Sequence, residues 1–274
     1  MEINAKSIKG YSSMMTRSAL ILSLSLLLVQ ACEAQTPSVS ETLEETALAL
    51  GTIRGVQRRM DSINTLQFSG NGTYNVPGNN GEWTSYELRD ATVGINYFIP
   101  AIRMDMTLIG PDGNEERLVQ VARGDRAWDE RLPGVDPTDV SDQEVQQRAQ
   151  QIWLTPHGVI TAAVQNPDNV AIETESGQTI MTVEIDGMPV TARLDENARP
   201  AVVEMMVEHP VLGETLLSAE YTDYIDWPIL DVYFPSQIVH RLGGEVVLEM
   251  TVSDFYQNPY VIFPTPELLS RSLQ

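Results

Sequence analysis

A single cysteine, Cys32, occurs in 274 residues. A lone thiol cannot close an internal disulfide, so packing and hydrogen bonds must hold the mature domain together. Histidine is nearly as scarce: His157, His209 and His240 stand dozens of residues apart. They form neither His-x-His nor His-Glu-x-x-His, the spacings that bring imidazoles onto one metal ion. There is no Gly-x-Ser-x-Gly elbow for a hydrolase nucleophile and no glycine-rich phosphate loop before a helix. No lysine follows Lys9, and 17 basic residues face 38 acidic ones, a net charge of −21. Nucleic acid and anionic lipid both need a basic face, so neither is an expected partner. The acidity reads as a solubilising surface. Its local clusters, Asp112-Gly113-Asn114-Glu115 and Asp195-Glu196-Asn197, read as hairpin turns rather than calcium loops. Pro/Ser-rich linkers, charge blocks and fixed-period repeats are also missing, which favours one domain.

What is present begins with an export signature. Lys6, Lys9 and Arg17 precede an eleven-residue apolar stretch, Ala19 to Val29, broken by two serines. That stretch is too short to cross a bilayer and suits the apolar part of a signal peptide. Leu28-Val29-Gln30-Ala31-Cys32 resembles a bacterial lipobox, in which the cysteine is lipidated and becomes the new N-terminus. Ordinary cleavage after Ala31 or Ala34, leaving a soluble periplasmic protein, is the competing reading. An oxidising compartment penalises a free thiol, which favours lipidation of Cys32. Cleavage before Cys32 leaves 14 basic and 37 acidic residues, a formal charge of −23. The domain division is a signal peptide over 1–31, a tether over 32–40, a β domain over 41–258 and a C-terminal tail over 259–274.

Ser38 and Glu41 are spaced as a capping box, and Leu43, Ala47, Leu50, Ile53, Val56, Met60 and Ile63 recur at helical spacing. From Leu66 the period changes to two, and the turn string Pro77-Gly78-Asn79-Asn80-Gly81 follows. Further strand patterns cover 83–89, 92–98, 102–109, 117–122 and 126–130. After an interruption they resume over 170–175, 179–185, 190–194, 201–208, 215–224, 233–241 and 245–255. The fold class is mainly β: a curled antiparallel sheet, a half-barrel of about a dozen strands, with an N-terminal helix and a helical insert.

The insert has its own signals. Ser141 with Glu144 is a second capping box, and Val145, Ala149, Ile152 and Trp153 share a face. Thr155 caps another helix with Pro156 in its first turn, Val159, Ile160 and Ala163 form its apolar face, and Asn166-Pro167 ends it. Helices laid over a concave sheet either plug its core or roof a pocket. Ile102, Met104, Met106 and Leu108 share one strand face, as do Val203, Met205 and Val207, and methionines suit either outcome. The pocket reading assigns ligand contacts to Met104, Met106, Met205, Ile152 and Val159, with Trp153 as the first candidate for a lid. His157 near Asp142 and a serine is a weak triad candidate, since a histidine at a helix start more often packs or caps.

This architecture resembles the lipoprotein-carrier (LolA/LolB-like) superfamily, unclosed half-barrels with helices over the open side. That resemblance implies an apolar or acyl-chain ligand. A second resemblance lies in short strings: Asn64-Thr65-Leu66-Gln67-Phe68-Ser69-Gly70, Ile95-Asn96-Tyr97, Gln151-Ile152-Trp153-Leu154-Thr155-Pro156-His157-Gly158, His209-Pro210-Val211-Leu212-Gly213-Glu214 and Phe234-Pro235-Ser236-Gln237-Ile238-Val239. In this order they look like the N-terminal module of some exported metallo-β-lactamase-fold hydrolases. The His-x-His-x-Asp-His motif of the catalytic domain is missing from this sequence, so the resemblance implies an accessory role and not the chemistry. The expected function is therefore an exported, lipid-anchored, non-catalytic binder of an apolar molecule in the periplasm or at the outer membrane. It needs no cofactor or metal, and a protein partner is admissible. The alternative is a substrate-presenting or docking module for a hydrolase.

Overall fold

The architecture follows from where the chain reverses. The computed structural model describes residues 37–51, 63–78, 81–227 and 231–266. Cys32, the signal segment, and Ile53, Val56 and Met60 lie outside the described residues. Thirteen antiparallel strands form one sheet in the order β6-β5-β4-β3-β2-β1-β13-β12-β11-β10-β9-β8-β7. The first arm of this meander runs through β1 (Thr65–Pro77), β2 (Trp83–Asn96), β3 (Ala101–Ile109), β4 (Glu115–Arg123), β5 (Arg126–Glu130) and β6 (Thr138–Asp139). The second runs through β7 (Val170–Glu175), β8 (Gln178–Ile185), β9 (Met188–Leu194), β10 (Pro200–His209), β11 (Gly213–Asp226), β12 (Tyr233–Leu242) and β13 (Glu245–Gln257). Each hairpin pairs neighbours in sequence; one long-range ladder, β1 with β13, joins the two arms.

The sheet curls and does not close, leaving β6 and β7 as its two edges. Register shifts at Ser69/Gly70, Gly70/Gly72, Leu88/Asp90, Pro200/Val202 and His240/Arg241 add bend and twist. The Leu88/Asp90 shift corrects one expectation. The sequence pattern suggests two strands, 83–89 and 92–98, but β2 runs unbroken through a bulge at Arg89. At Gly72 a Cβ would run into the Glu249 carbonyl, so close approach at the β1–β13 ladder demands glycine there.

Helices occupy the concave side. In α1 (Val39–Leu50) the Ser38–Glu41 capping box forms as expected, but the helix stops at Gly51 in a left-handed cap, short of the Ile63 limit its periodicity suggests. Ile63 is buried all the same. Arg199 donates to the Ala49 carbonyl at 3.0 Å, a cation at the negative end of the helix. The open edges are bridged in sequence by α2 (Asp142–Leu154) and α3 (Pro156–Gln165). Ser141 and Glu144 close the second capping box, and Thr155 caps α3 with Pro156 at its first position. Gly158 lies against the Ile152 carbonyl, where a Cβ would clash, so the elbow between the helices is tight.

Alternation decides what faces inward. On β3, Ile102, Met104, Met106 and Leu108 are buried while Arg103, Asp105 and Thr107 point outward. Each such buried side chain contributes about 1.5–3 kcal/mol. The convex face carries charge, including an Arg117–Asp105 pair with contacts of 2.8 and 2.6 Å. One part of that outer face is covered. Residues 259–263 cross β2–β5, bury Val261 and Phe263 with Ala101, Val121 and Trp128, and place Phe263 over Gly94.

Candidate ligand cavity

The helices do not fill the concave side evenly. All residues of α3 from Pro156 to Ala163 are buried, and α3 packs on α1, β8 and β10. Below it Phe68, Phe234 and Phe255 stack at 4.5–5.0 Å. The ring of His157 lies 5.8 Å from Phe234 and 6.1 Å from Phe255. Here the insert plugs the core. Under α2 a space of about 250 Å³ is left open.

Eight strands, β1–β4 and β10–β13, supply its walls. Leu88, Val93, Ile95, Met104 and Met106 come from β2 and β3; Val207, Leu217, Ile238, Leu242 and Met250 come from β10–β13. Its inner end meets the aromatic cluster at Phe68, and its other end reaches Val76, Pro77, His209 and Val247, beside the hairpin ends of the strands. The roof is Gln147, Gln150, Gln151, Leu154 and Thr155 from α2 and the elbow. Gln147 donates to the Glu208 carbonyl at 3.0 Å and Gln150 to the Met188 sulfur at 3.3 Å, tying the roof to the second arm. Among the described residues lining the cavity, none is Asp, Glu, Lys or Arg.

The sequence-derived candidates separate into two groups. Met104 and Met106 line the cavity. Ile152, Val159 and Met205 are buried in the surrounding core and do not reach its wall. Trp153 is half-buried outside it and stacks on Tyr97 at 6.3 Å. The roof is held by groups outside the sequence-derived ligand candidates. The Tyr97 hydroxyl shares a 2.7 Å hydrogen bond with Thr155 Oγ1, and the Tyr221 hydroxyl donates to the Leu154 carbonyl at 2.7 Å. Both phenols are buried and their pKa values pushed up by desolvation, so they stay protonated and fix the elbow at any working pH. Tyr221 sits on an inward position of β11 and Tyr97 in the turn just after β2, and alternation marks neither as a grip on the elbow.

The three histidines occupy three environments. His157 has no side-chain partner for either ring nitrogen among the described residues, so the triad with Asp142 does not form. Burial lowers its pKa to about 4, opposed in part by the nearby Leu50 carbonyl. His209 Nδ1 accepts the Val211 and Leu212 amides at 3.2 and 3.3 Å and orders the β10–β11 hairpin at the cavity mouth. His240 is half-buried and lines the cavity, and burial lowers its pKa to about 4. Among the described residues no three of His, Cys, Asp and Glu converge as a metal site, and no described helix is long and apolar enough to cross a membrane.

No protein-family model matches this chain, and no curated protein matches it in sequence. Among solved structures, the crystal structure of LprF from Mycobacterium bovis aligns over 84% of this chain and 99% of that chain, at 11% identity and a TM-score of 0.33. A likeness that loose carries no statement about function, so the cavity's own chemistry must supply one.

Proposed function

We propose that this protein is an exported, lipid-anchored, non-catalytic binder that holds an apolar or acyl-chain molecule in the half-barrel cavity beneath α2. The observation that supports it is the uneven filling of the concave side: α3 packs the core solid while α2 roofs an apolar space of about 250 Å³. Packed interiors rarely keep voids this large without use. Met104 and Met106 are the wall residues in this reading. Trp153, Ile152, Val159 and Met205 act from behind, setting how α2 lies over the space.

Filling the space tests the proposal. Met106→Trp is expected to weaken uptake of a fluorescent acyl-chain probe by about tenfold or more, with a stability change within the 1–3 kcal/mol typical of overpacking. Unchanged uptake would put the ligand elsewhere. Native mass spectrometry of the protein recovered from its own membranes should show a lipid-sized adduct lost on denaturation. The anchor has a separate test: Cys32→Ser should move the protein from the membrane fraction to the soluble fraction, and an unchanged distribution would exclude lipidation.

One observation favours the docking-module reading. Phe98, Tyr260 and Ile262 are 77%, 89% and 54% exposed. They lie at the strand ends opposite the cavity mouth. Asn96 ties them together there, donating to the Val261 carbonyl and accepting from the Ile99 amide. Exposed aromatics gathered this way suit a protein contact. A neighbouring reading frame for a metallo-β-lactamase-fold catalytic domain would favour this second reading.

A further inference from the structure

We propose that the cavity selects an uncharged amphiphile, a single alkyl or acyl chain ending in an ester, amide or hydroxyl group, over anionic and cationic lipids of the same chain length. The inference rests on the apolar-ligand reading above and adds the chemistry of the ligand's head. Four polar side chains face the space from different sides: Tyr74 on β1, Gln120 on β4, Gln151 on α2 and His240 on β12. None of the four side chains has a hydrogen-bond partner among the described residues, and all four keep accessible surface, so each is free to meet a ligand's head. In an apolar wall such groups need a partner. Primary amides both donate and accept, which matches a carbonyl or a hydroxyl and gives no preference to full charge.

Ions fit poorly for a complementary reason. A carboxylate or phosphate entering the space would lose water and meet no guanidinium or ammonium, and a quaternary ammonium would meet no carboxylate. Arg148, close enough to act electrostatically on Tyr74, is already committed. It donates to the Trp128 carbonyl at 3.0 Å and pairs with Asp129 at 2.8 Å and Glu144 at 3.6 Å. His209 offers a lone pair to two amides, and His240 is neutral at physiological pH, so neither supplies a positive charge. Size sets the chain count. About 250 Å³ is roughly eight water-sized units, room for one medium chain rather than two long ones.

The test is displacement of a fluorescent dodecyl probe from the intact mature protein, at a pH where carboxylic acids are ionised. The competitors are monododecanoylglycerol, dodecanamide, dodecanoate, dodecyl phosphate and dodecyltrimethylammonium. The two neutral ligands are expected to bind about tenfold or more tighter than the three ions. Equal or tighter binding of any ion would overturn the selectivity while leaving apolar binding intact. Failure of all five to displace the probe, or of the probe itself to bind, would overturn the apolar-ligand reading as well. Gln120→Leu and Gln151→Leu should each shrink the neutral-to-ion ratio; a ratio unchanged in both would remove these amides from the head site and overturn the assignment.

Discussion

Replacing Glu130 with alanine is expected to cost the fold about 3 kcal/mol, read as a lower midpoint of urea unfolding at unchanged slope. The reason is the number of donors that converge on one carboxylate. Glu130 is 6% exposed. It accepts from Arg103 at 3.1 Å, from the Trp128 indole N–H at 2.8 Å and from the Gly134 amide at 2.7 Å. Arg103 also lies over the Phe263 ring at 4.7 Å. Removing the carboxylate strands a half-buried cation and a fully buried indole N–H together. Each stranded group costs its own desolvation, which exceeds the net worth of the bonds that were made. The same residues hold residues 259–263 to the convex face, so Glu130→Ala and Phe263→Ala should be non-additive in a double-mutant cycle. Additive losses, or a loss under about 1 kcal/mol for Glu130→Ala alone, would show that water replaces the carboxylate there.

That outer cluster also shows where legibility from sequence ends. Period-two alternation, turn strings and two capping boxes are local signals, and the strands and helices they predict form. The signals fail where the physics is not local. The bulge at Arg89 looks like a turn because a bulge and a turn both break alternation. The covered patch around Trp128 is invisible because outward strand positions such as Ala101 and Val121 carry no mark of a tail docking on them. Gly51 ends α1, although the apolar period runs on past it. The candidate site was half legible for a related reason. Met104 and Met106 could be placed on an inward face. Which inward residues touch a void depends on how far each helix settles onto the sheet, and sequence periodicity does not encode that depth. Trp153 illustrates the limit: its place on the helical insert suggests a lid, and sequence alone does not show that it packs on Tyr97 at the elbow.

Acid should weaken this fold through His157, and His157→Phe should remove that weakness. At neutral pH the imidazole is uncharged in both the folded and the unfolded chain, so it contributes no pH dependence. Below its ordinary value of 6.5 the unfolded chain takes up a proton, while the folded chain, with a pKa lowered to about 4 by burial, does not. Stability is therefore lost progressively as pH falls from 6.5 to about 4, and the loss approaches about 3 kcal/mol. Phenylalanine keeps a ring packed against the stacked pair Phe234 and Phe255 and has nothing to protonate. The difference in unfolding free energy between wild type and His157→Phe should shift in favour of the variant by about 3 kcal/mol between pH 7 and pH 4. His240, also lowered to about 4, adds a similar acid dependence to both proteins and cancels from the difference. So do carboxylates held low by hydrogen bonds, such as Glu144 at its serine cap. Because His157 touches the same Phe234 that stacks on Phe68 at the inner end of the cavity, its protonation would loosen the wall a ligand rests on. Parallel stability curves for the two proteins would mean that water reaches the ring, and that α1 and α3 do not seal it as closely as their packing implies.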